Sequence, residues 1–346
     1  MIDVNLSVMA ASATAFGISI IILPRFIKFL ESINIVGTDI QKSNKPKIAE
    51  MGGPAIACGF LSGMFLFIWI NVFLLHNQIV SFEYLALIFA GMSTILMIMV
   101  IGMLDDMTRL QNKNEGSRGF EKYKRTGLKQ WQKPLLTLPA AIPLMAIMAG
   151  NSTMSIPLVG PVNFGILYPL LIVPLGVVGA SNAVNMLAGF NGLEAGLSFV
   201  ALLSMGIFGY THGAIAASAI AFTMAAAVLA FLIFNWYPAK ILPGDSFVYT
   251  VGAAIAVIAI IGNMQKFAIY IFAPWLLEFF LKLRSKFSAE NYGILQKDGS
   301  LKSRYKEIYS LTHLVMKSGN FKEWQISGII IASEIMICAA ALILLA

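Results

Sequence analysis

The chain has 346 residues, of which 58% are hydrophobic and only 12% charged, with a formal net charge of +7. A soluble domain carries about a quarter of its residues as Asp, Glu, Lys and Arg, so this composition excludes a water-soluble globule. It indicates an all-α, polytopic integral membrane protein, and the basic balance does not read as a nucleic-acid surface because the charge is confined to particular loops.

In chain order, apolar runs near 6–24, 54–75, 83–104, 135–149, 165–184, 193–209, 214–234, 246–262, 266–282 and 325–345 predict ten spanning helices. They form a single transmembrane domain over 1–346. The first run is followed by Pro24-Arg25 and not by a small-residue cleavage site, which predicts a retained span. Cys58 and Cys338 both fall in apolar segments and read as small buried hydrophobes.

Ten spans put both termini on one side. The loops at about 25–53, 105–134, 235–245 and 283–324, with their flanks, carry five, eight, one and nine basic residues. Of the 24 Lys and Arg, only Lys266 is left for the other face. Positive residues mark the cytoplasmic side, so these loops, with the turn at 185–192, are predicted to be cytoplasmic and both termini to point outward. Attraction to anionic headgroups is the alternative reading of the individual lysines.

The acids follow the same face. Glu50 precedes the second span, Asp105 and Asp106 end the third, Glu194 follows an asparagine run, and Asp245 opens the eighth. That run, Asn182 to Gly196, reads NAVNMLAGFNGLEAG between two apolar segments. Polar groups cost several kcal/mol in hydrocarbon unless satisfied, so it must be buried in protein or face an aqueous pocket. Glu83, Glu278 and Glu334 lie near the other side or within single helices and read as structural or headgroup contacts.

Carboxylates with an amide oxygen suit a hard cation such as Mg²⁺, which is held by one or two protein groups plus substrate phosphates. Lys and Arg clamp phosphate oxygens, and Gly189 and Gly192 allow close backbone approach. These residue types point to phosphoryl chemistry. No Ser/His or Cys/His set is evident among His76, His212 and His313. Taken alone, Asp105-Asp106 is equally a helix-end marker and Asp245 equally an N-cap. Their coincidence on one face favours function.

LDDMTRL (Leu104–Leu110), the asparagine run and FNWYPAKILPGDSFVY (Phe234–Tyr249) resemble the motifs of the polyprenyl-phosphate N-acetylhexosamine-1-phosphate transferases. The likeness is closest to the UDP-GlcNAc:dolichyl-phosphate branch of that superfamily, also called glycosyltransferase 4. Bacterial branches carry DGxDG where this chain has Ala188-Gly189-Phe190-Asn191-Gly192, as in the dolichol-linked branch. The segment Gly37-Thr38-Asp39 through Lys42 to Glu50 is similar to that branch too. The resemblance implies that dolichyl or polyprenyl phosphate attacks the β-phosphorus of UDP-GlcNAc, giving lipid-pyrophosphate-GlcNAc and UMP. This would be the first step of lipid-linked oligosaccharide synthesis for N-glycosylation.

The resemblance also implies residue roles. Asn185 and Asp245 match ligands of Mg²⁺, for which Mn²⁺ can substitute. Asp105 and Asp106 match an acidic pair, one of which deprotonates or positions the lipid phosphate. Lys133 matches the lysine that stabilises phosphate charge, with Lys129 a competitor. Gly189 and Asn191 match uracil contacts, Glu50 a nucleoside contact, and Leu242 a position where some relatives stack an aromatic; Asn182 belongs to the same substrate-binding set. Arg284 and Lys286 match a basic pair gripping the pyrophosphate and sugar, although the expected Arg-His-Arg pattern reads Arg284-Ser285-Lys286. The simple segment from Phe287 to Trp324, with a hairpin-like turn at Lys297-Asp298-Gly299-Ser300, suggests an archaeal version, which implies a plasma membrane rather than an endoplasmic reticulum. Relatives' association permits a homodimer. A bacterial-type undecaprenyl-phosphate transferase is the nearest rival. A transporter would place acids at the bilayer midplane, unlike these.

Overall fold

Backbone in hydrocarbon must satisfy its own N–H and C=O groups, so the apolar runs fold as helices. The computed structural model of the chain describes residues 2–75, 81–111, 132–156 and 159–345. Helix α1 (Ile2–Ser32) leads into strands β1 (Val36–Thr38) and β2 (Lys47–Glu50), then α2 (Gly53–Trp69), extended by a π-helical turn at Ile70–Leu74, and α3 (Phe82–Gln111). Short helices α4 (Gln132–Thr137) and α5 (Ile142–Ala146) flank a 3₁₀ turn at Leu138–Ala141. The hairpin β3 (Thr153–Ile156) and β4 (Gly160–Asn163) precedes a π-helical turn, Tyr168–Ile172, and α6 (Val173–Val184). Then come α7 (Leu193–Thr211), α8 (Ile215–Asn235), β5 (Ile241–Leu242), α9 (Gly244–Ile261), α10 (Gln265–Ile271) and α11 (Ala273–Arg284). The hairpin β6 (Gly293–Leu295) and β7 (Leu301–Ser303), α12 (Leu311–Ser318) and α13 (Glu323–Leu344) complete the chain.

Seven of these helices, α1, α2 with its extension, α3, α7, α8, α9 and α13, are long and apolar enough to cross a membrane. The molecule is a polytopic membrane protein. Helix α1 runs through Pro24 to Ser32, eight residues beyond its predicted end. The fourth, fifth and ninth predicted spans are occupied by shorter pieces. Pro139 and Pro143 divide the fourth into α4, the 3₁₀ turn and α5: each sits in the first turn of the piece that it opens and cannot donate to the helix before it. The fifth is the apolar stretch Tyr168–Val184. The ninth breaks at Phe272, just before Pro274, into α10 and α11.

Helix α9 is the axis of the bundle. It is apolar all round and almost wholly buried, packing on α2, α3, α6, α7 and α8, as expected for a helix surrounded by protein. Burial from water does not drive helix association in lipid, so close packing of small residues has to. Gly252 shows this: a Cβ there would lie 2.5 Å from the Ala180 carbonyl oxygen and 2.6 Å from Ser181 Cα, so α9 and α6 touch backbone to backbone.

The strands were not expected in an all-helical fold, apart from the turn at 297–300. There Asp298 Oδ1 accepts from the Ser300 N–H (3.0 Å) and hydroxyl (2.7 Å), closing β6 against antiparallel β7. The three-stranded sheet matters more. Strand β1 pairs antiparallel with β2, and β2 pairs parallel with β5, setting Glu50 opposite Leu242. The ladder continues into the loops, where Met51 N–H donates to Leu242 O (3.3 Å) and Gly52 N–H to Pro243 O (2.7 Å). Helices α2 and α9 therefore start side by side. Cys338 is buried as expected, whereas Cys58 is exposed on an outward helix face; both are free thiols. Glu278 is no headgroup contact: it is fully buried, and its Oε2 accepts from Leu311 N–H (2.8 Å) and the Ser310 hydroxyl (3.1 Å) at the start of α12.

Candidate functional site

Four helix ends bring the predicted polar residues together. Asp105 and Asp106 come from the last turns of α3, Lys133 from the first turn of α4, Asn185 from the C-cap of α6, and Asp245 from the first turn of α9. Lys133 Nζ lies 2.5 Å from Asp105 Oδ2 and 3.0 Å from Asp245 Oδ2. Asn185 Nδ2 donates to the other Asp245 oxygen, Oδ1, at 2.7 Å. Burial by itself would lower the Lys133 pKa, but the neighbouring carboxylates Asp245 and Asp105 outweigh it and hold the ammonium above the usual lysine range. Its Nζ sits 5.6 Å from the Tyr249 ring centroid. Asp106 is placed differently: its two oxygens accept from the backbone N–H groups of Asp245 (2.6 Å) and Ser246 (2.9 Å).

The asparagine run leaves α6 and enters α7 through a loop held from several directions. Gly189, at φ +105°, donates its N–H to Glu194 Oε1 (2.7 Å) and accepts from Gln41 Nε2 (2.9 Å). A Cβ there would fall 2.7 Å from the Tyr292 ring, so a glycine is required for both its backbone and its space. Asn191 is buried, and its Oδ1 accepts from Lys42 Nζ (2.9 Å) and from Ala239 N–H (3.1 Å). Its N–H donates to Glu323 Oε1 (2.8 Å), at the start of α13. Lys42 also pairs with Asp39 (3.1 Å) and with Glu323, and lies 4.2 Å from the centre of the Tyr237 ring. Asn291 Nδ2 donates to the carbonyls of Met186 (2.9 Å) and Ala188 (2.8 Å).

Other predicted residues are more scattered. Glu50 and Leu242 face each other across β2 and β5, the former buried and the latter half-buried. Asn182 donates to the Val178 carbonyl of its own helix (2.8 Å). Arg284 is exposed and turned to the loop before α12, its guanidinium 3.2 Å from Ile308 O and 3.7 Å from Glu307. Lys286 lies just past α11 at φ +51°. Lys129 lies outside the described residues. Gln41, Asn235, Asn291 and Glu323 were missed as contributors. Asn235, for instance, accepts from Gly192 N–H (3.2 Å) and donates to Ile241 O (2.9 Å). A polar residue at an otherwise apolar helix end was the available signal for Asn235; Gln41, Asn291 and Glu323 carry none.

A cation fits this donor set. Among the described residues no three His, Cys, Asp or Glu side chains converge on one point, so no closed metal cage exists there. Asp105 and Asp245 supply carboxylate oxygens, and the Asn185 amide supplies either an N–H or an oxygen according to its terminal torsion. A partial, all-oxygen set beside a charged lysine suits a hard divalent ion that completes its shell with water and phosphate.

Comparison with known proteins defines the class. Residues 88–263, the stretch bearing Asp105, Asp106, Lys133, Asn185 and Asp245, match the model of glycosyl transferase family 4. The chain belongs to that family and is a membrane-embedded transferase. It is 35% identical over 98% of its length, and 97% of the relative's, to a protein of Saccharolobus solfataricus. That protein is provisionally named a UDP-N-acetylglucosamine–dolichyl-phosphate N-acetylglucosaminephosphotransferase. A Sulfolobus acidocaldarius protein of the same provisional name is 32% identical over 98% of this chain and 96% of its own. The phospho-N-acetylmuramoyl-pentapeptide-transferase of Streptococcus thermophilus is 30% identical, over 78% of this chain and 76% of its own.

Proposed function

We propose that the protein transfers GlcNAc-1-phosphate from UDP-GlcNAc to a dolichyl-type polyprenyl phosphate, releasing UMP, in the first step of lipid-linked oligosaccharide synthesis. The observation that carries this reading is the charged Lys133 held between Asp105 and Asp245, with Asn185 on the second oxygen of Asp245. Full-length similarity to relatives named for this reaction, against partial coverage for the pentapeptide transferase, favours the dolichyl substrate and the amino sugar.

In the reaction a phosphate oxygen of the lipid attacks the β-phosphorus, the bond from that phosphorus to the bridging oxygen breaks, and UMP leaves with the electron pair. Negative charge gathers as two phosphates approach, and a fixed ammonium offsets it without reorganising. Lys133 supplies that charge, and its two carboxylate partners fix its direction. Asp245 and Asn185, with Asp105, would hold a divalent ion, Mg²⁺ with Mn²⁺ as substitute, which when bound offsets pyrophosphate charge. The loop around Gly189 and Asn191, with Glu50 and Leu242 beside it, would receive the nucleoside, and Asn182 lines the approach from α6. Arg284 and Lys286 would reach the sugar side only if the loop before α12 released Arg284.

The concentration of basic residues in alternate loops supports a cytoplasmic site, ten crossings including the three shorter ones, and termini on the outer face. One transmembrane domain then spans 1–346, in a plasma membrane for an archaeal source, and two copies can associate through lipid-facing helices.

The test uses purified protein, dolichyl phosphate, a divalent salt and UDP-GlcNAc labelled separately in the β-phosphate and the sugar. Both labels are expected in the lipid with stoichiometric UMP, and neither with Asp245→Ala. Entry of the sugar label alone would mean plain glycosyl transfer and end the proposal. Transfer only from UDP-MurNAc-pentapeptide to undecaprenyl phosphate would move the protein to the pentapeptide branch.

A further inference from the structure

The first N–H groups of a helix have no partner within it and are usually met by an oxygen on the N-cap side chain. Helix α9 lacks that oxygen, because its N-cap is Pro243. Asp106, on α3, does the work instead. Its Oδ1 accepts from Asp245 N–H at 2.6 Å and its Oδ2 from Ser246 N–H at 2.9 Å, in a site where Asp106 is 1% exposed. Gly244 makes room for the carboxylate. A Cβ at that position would lie 2.6 Å from Asp106 Oδ2, and its φ of +69° also disfavours any side chain. Gly102 and Gly53 close the same turn, each with a would-be Cβ under 3 Å from Ser246 backbone, and the Gly53 N–H donates to Ser246 Oγ (3.2 Å).

We infer that Asp106 is a positioning residue: it grips the first turn of α9 from the neighbouring helix and thereby sets the Asp245 carboxylate, while Asp105 alone of the pair meets Lys133 and the reacting phosphates. The inference rests on the proposal that Asp245 holds a divalent ion. The two adjacent aspartates point in different directions because successive residues on a helix lie about 100° apart, so only one of them can face the lysine when the other meets α9.

Groups that orient a metal ligand typically change metal affinity 10- to 100-fold when altered. The experiment measures Mn²⁺ binding to the full-length protein in detergent by the loss of the free-ion electron paramagnetic resonance signal, alongside kcat across metal concentration. Asp106→Asn keeps one acceptor oxygen but sets an NH₂ against an N–H. It is expected to bind Mn²⁺ at least 10-fold more weakly and to recover most of its kcat at saturating metal. Gly244→Ala leaves all carboxylates in place yet pushes on Asp106, and it is expected to weaken Mn²⁺ binding in the same way. Wild-type Mn²⁺ affinity in either variant, or a kcat for Asp106→Asn that stays low at saturating metal, would overturn the inference, as would a wild-type protein that binds no Mn²⁺. Weakened binding in both variants with no sugar-phosphate transfer by the wild type from any donor would uphold the positioning role and reject the proposed reaction.

Discussion

Replacing Lys133 by Met removes a positive charge that lies between Asp105 and Asp245 while keeping most of the side-chain volume. Each ion pair, at 2.5 and 3.0 Å, has a Coulomb attraction of about 6 kcal/mol at an effective dielectric of 20, most of it offset by the cost of withdrawing the charges from water. What remains is the penalty of breaking two partly buried ion pairs, roughly 3 kcal/mol, at the low end of the range for such pairs because Lys133 keeps 19% of its side chain exposed. In a chain of this size about 2 °C of melting temperature accompanies each kcal/mol, so Lys133→Met is expected to melt roughly 6 °C lower in chelator. Divalent salt should restore part of that loss, since the ion offers the carboxylates a new partner, while transfer activity stays down by about 100-fold or more. The assay is intrinsic-fluorescence melting in detergent, with and without Mg²⁺, next to UMP release. An unchanged melting temperature in chelator, or a loss that the metal leaves untouched, would refute the idea that Lys133 holds the two carboxylates.

Gly252→Ala forces a methyl into the Ala180 and Ser181 backbone and is expected to cost about 1–3 kcal/mol; because α6 carries Asn185, Mn²⁺ affinity should fall as well, and a stable variant with wild-type affinity would count against that contact. Asn191→Ala takes away the oxygen that serves Lys42 and Ala239 N–H, an expected loss of about 1–3 kcal/mol, and should raise KM for the sugar nucleotide more than it lowers kcat, as steady-state kinetics would report. His313 is buried with Nε2 on Glu290 O and Nδ1 receiving Tyr309 N–H, and burial first, then Lys282 and Lys317, depress its pKa from 6.5 to about 4. The unfolded chain therefore binds the extra proton first, so this contribution is intact above pH 6.5 and is lost as pH falls toward 4, by up to about 3 kcal/mol; His313→Gln should flatten that part of a melting-versus-pH curve, and an identical curve would disprove the assignment.

The sequence was most readable where one physical rule decides the structure. Uninterrupted apolar runs became α2, α3, α7, α8, α9 and α13, because length and hydropathy alone determine such helices. Prolines at 139 and 143 were visible too, but how a chain resolves the two breaks into α4, a 3₁₀ turn and α5 depends on its neighbours. Strands β2 and β5 were illegible: they are two to four residues long and nearly 200 residues apart, so no local pattern announces their pairing. The same holds within the site. Asp105, Asp106, Lys133, Asn185 and Asp245 could be singled out by residue type and motif likeness. That Asp106 serves α9 rather than Lys133 follows from a helix crossing that no local pattern encodes. Arg284 follows only from the likeness to a basic pair in the family, and its contacts are with Glu307 and Ile308.

Glu323 ties the loop bearing Asn191 to the first residue of α13, and Ser327, one turn on, donates its hydroxyl to the Asn191 carbonyl at 2.9 Å. During synthesis every motif residue up to Asp245 has left the ribosome long before α13 enters the bilayer. The loop bearing Asn191 is therefore completed last, by a helix that holds it through Glu323 and Ser327. A chain ending before Glu323 would hold Asp105, Lys133, Asn185 and Asp245 and still lack this anchor of the Asn191 loop.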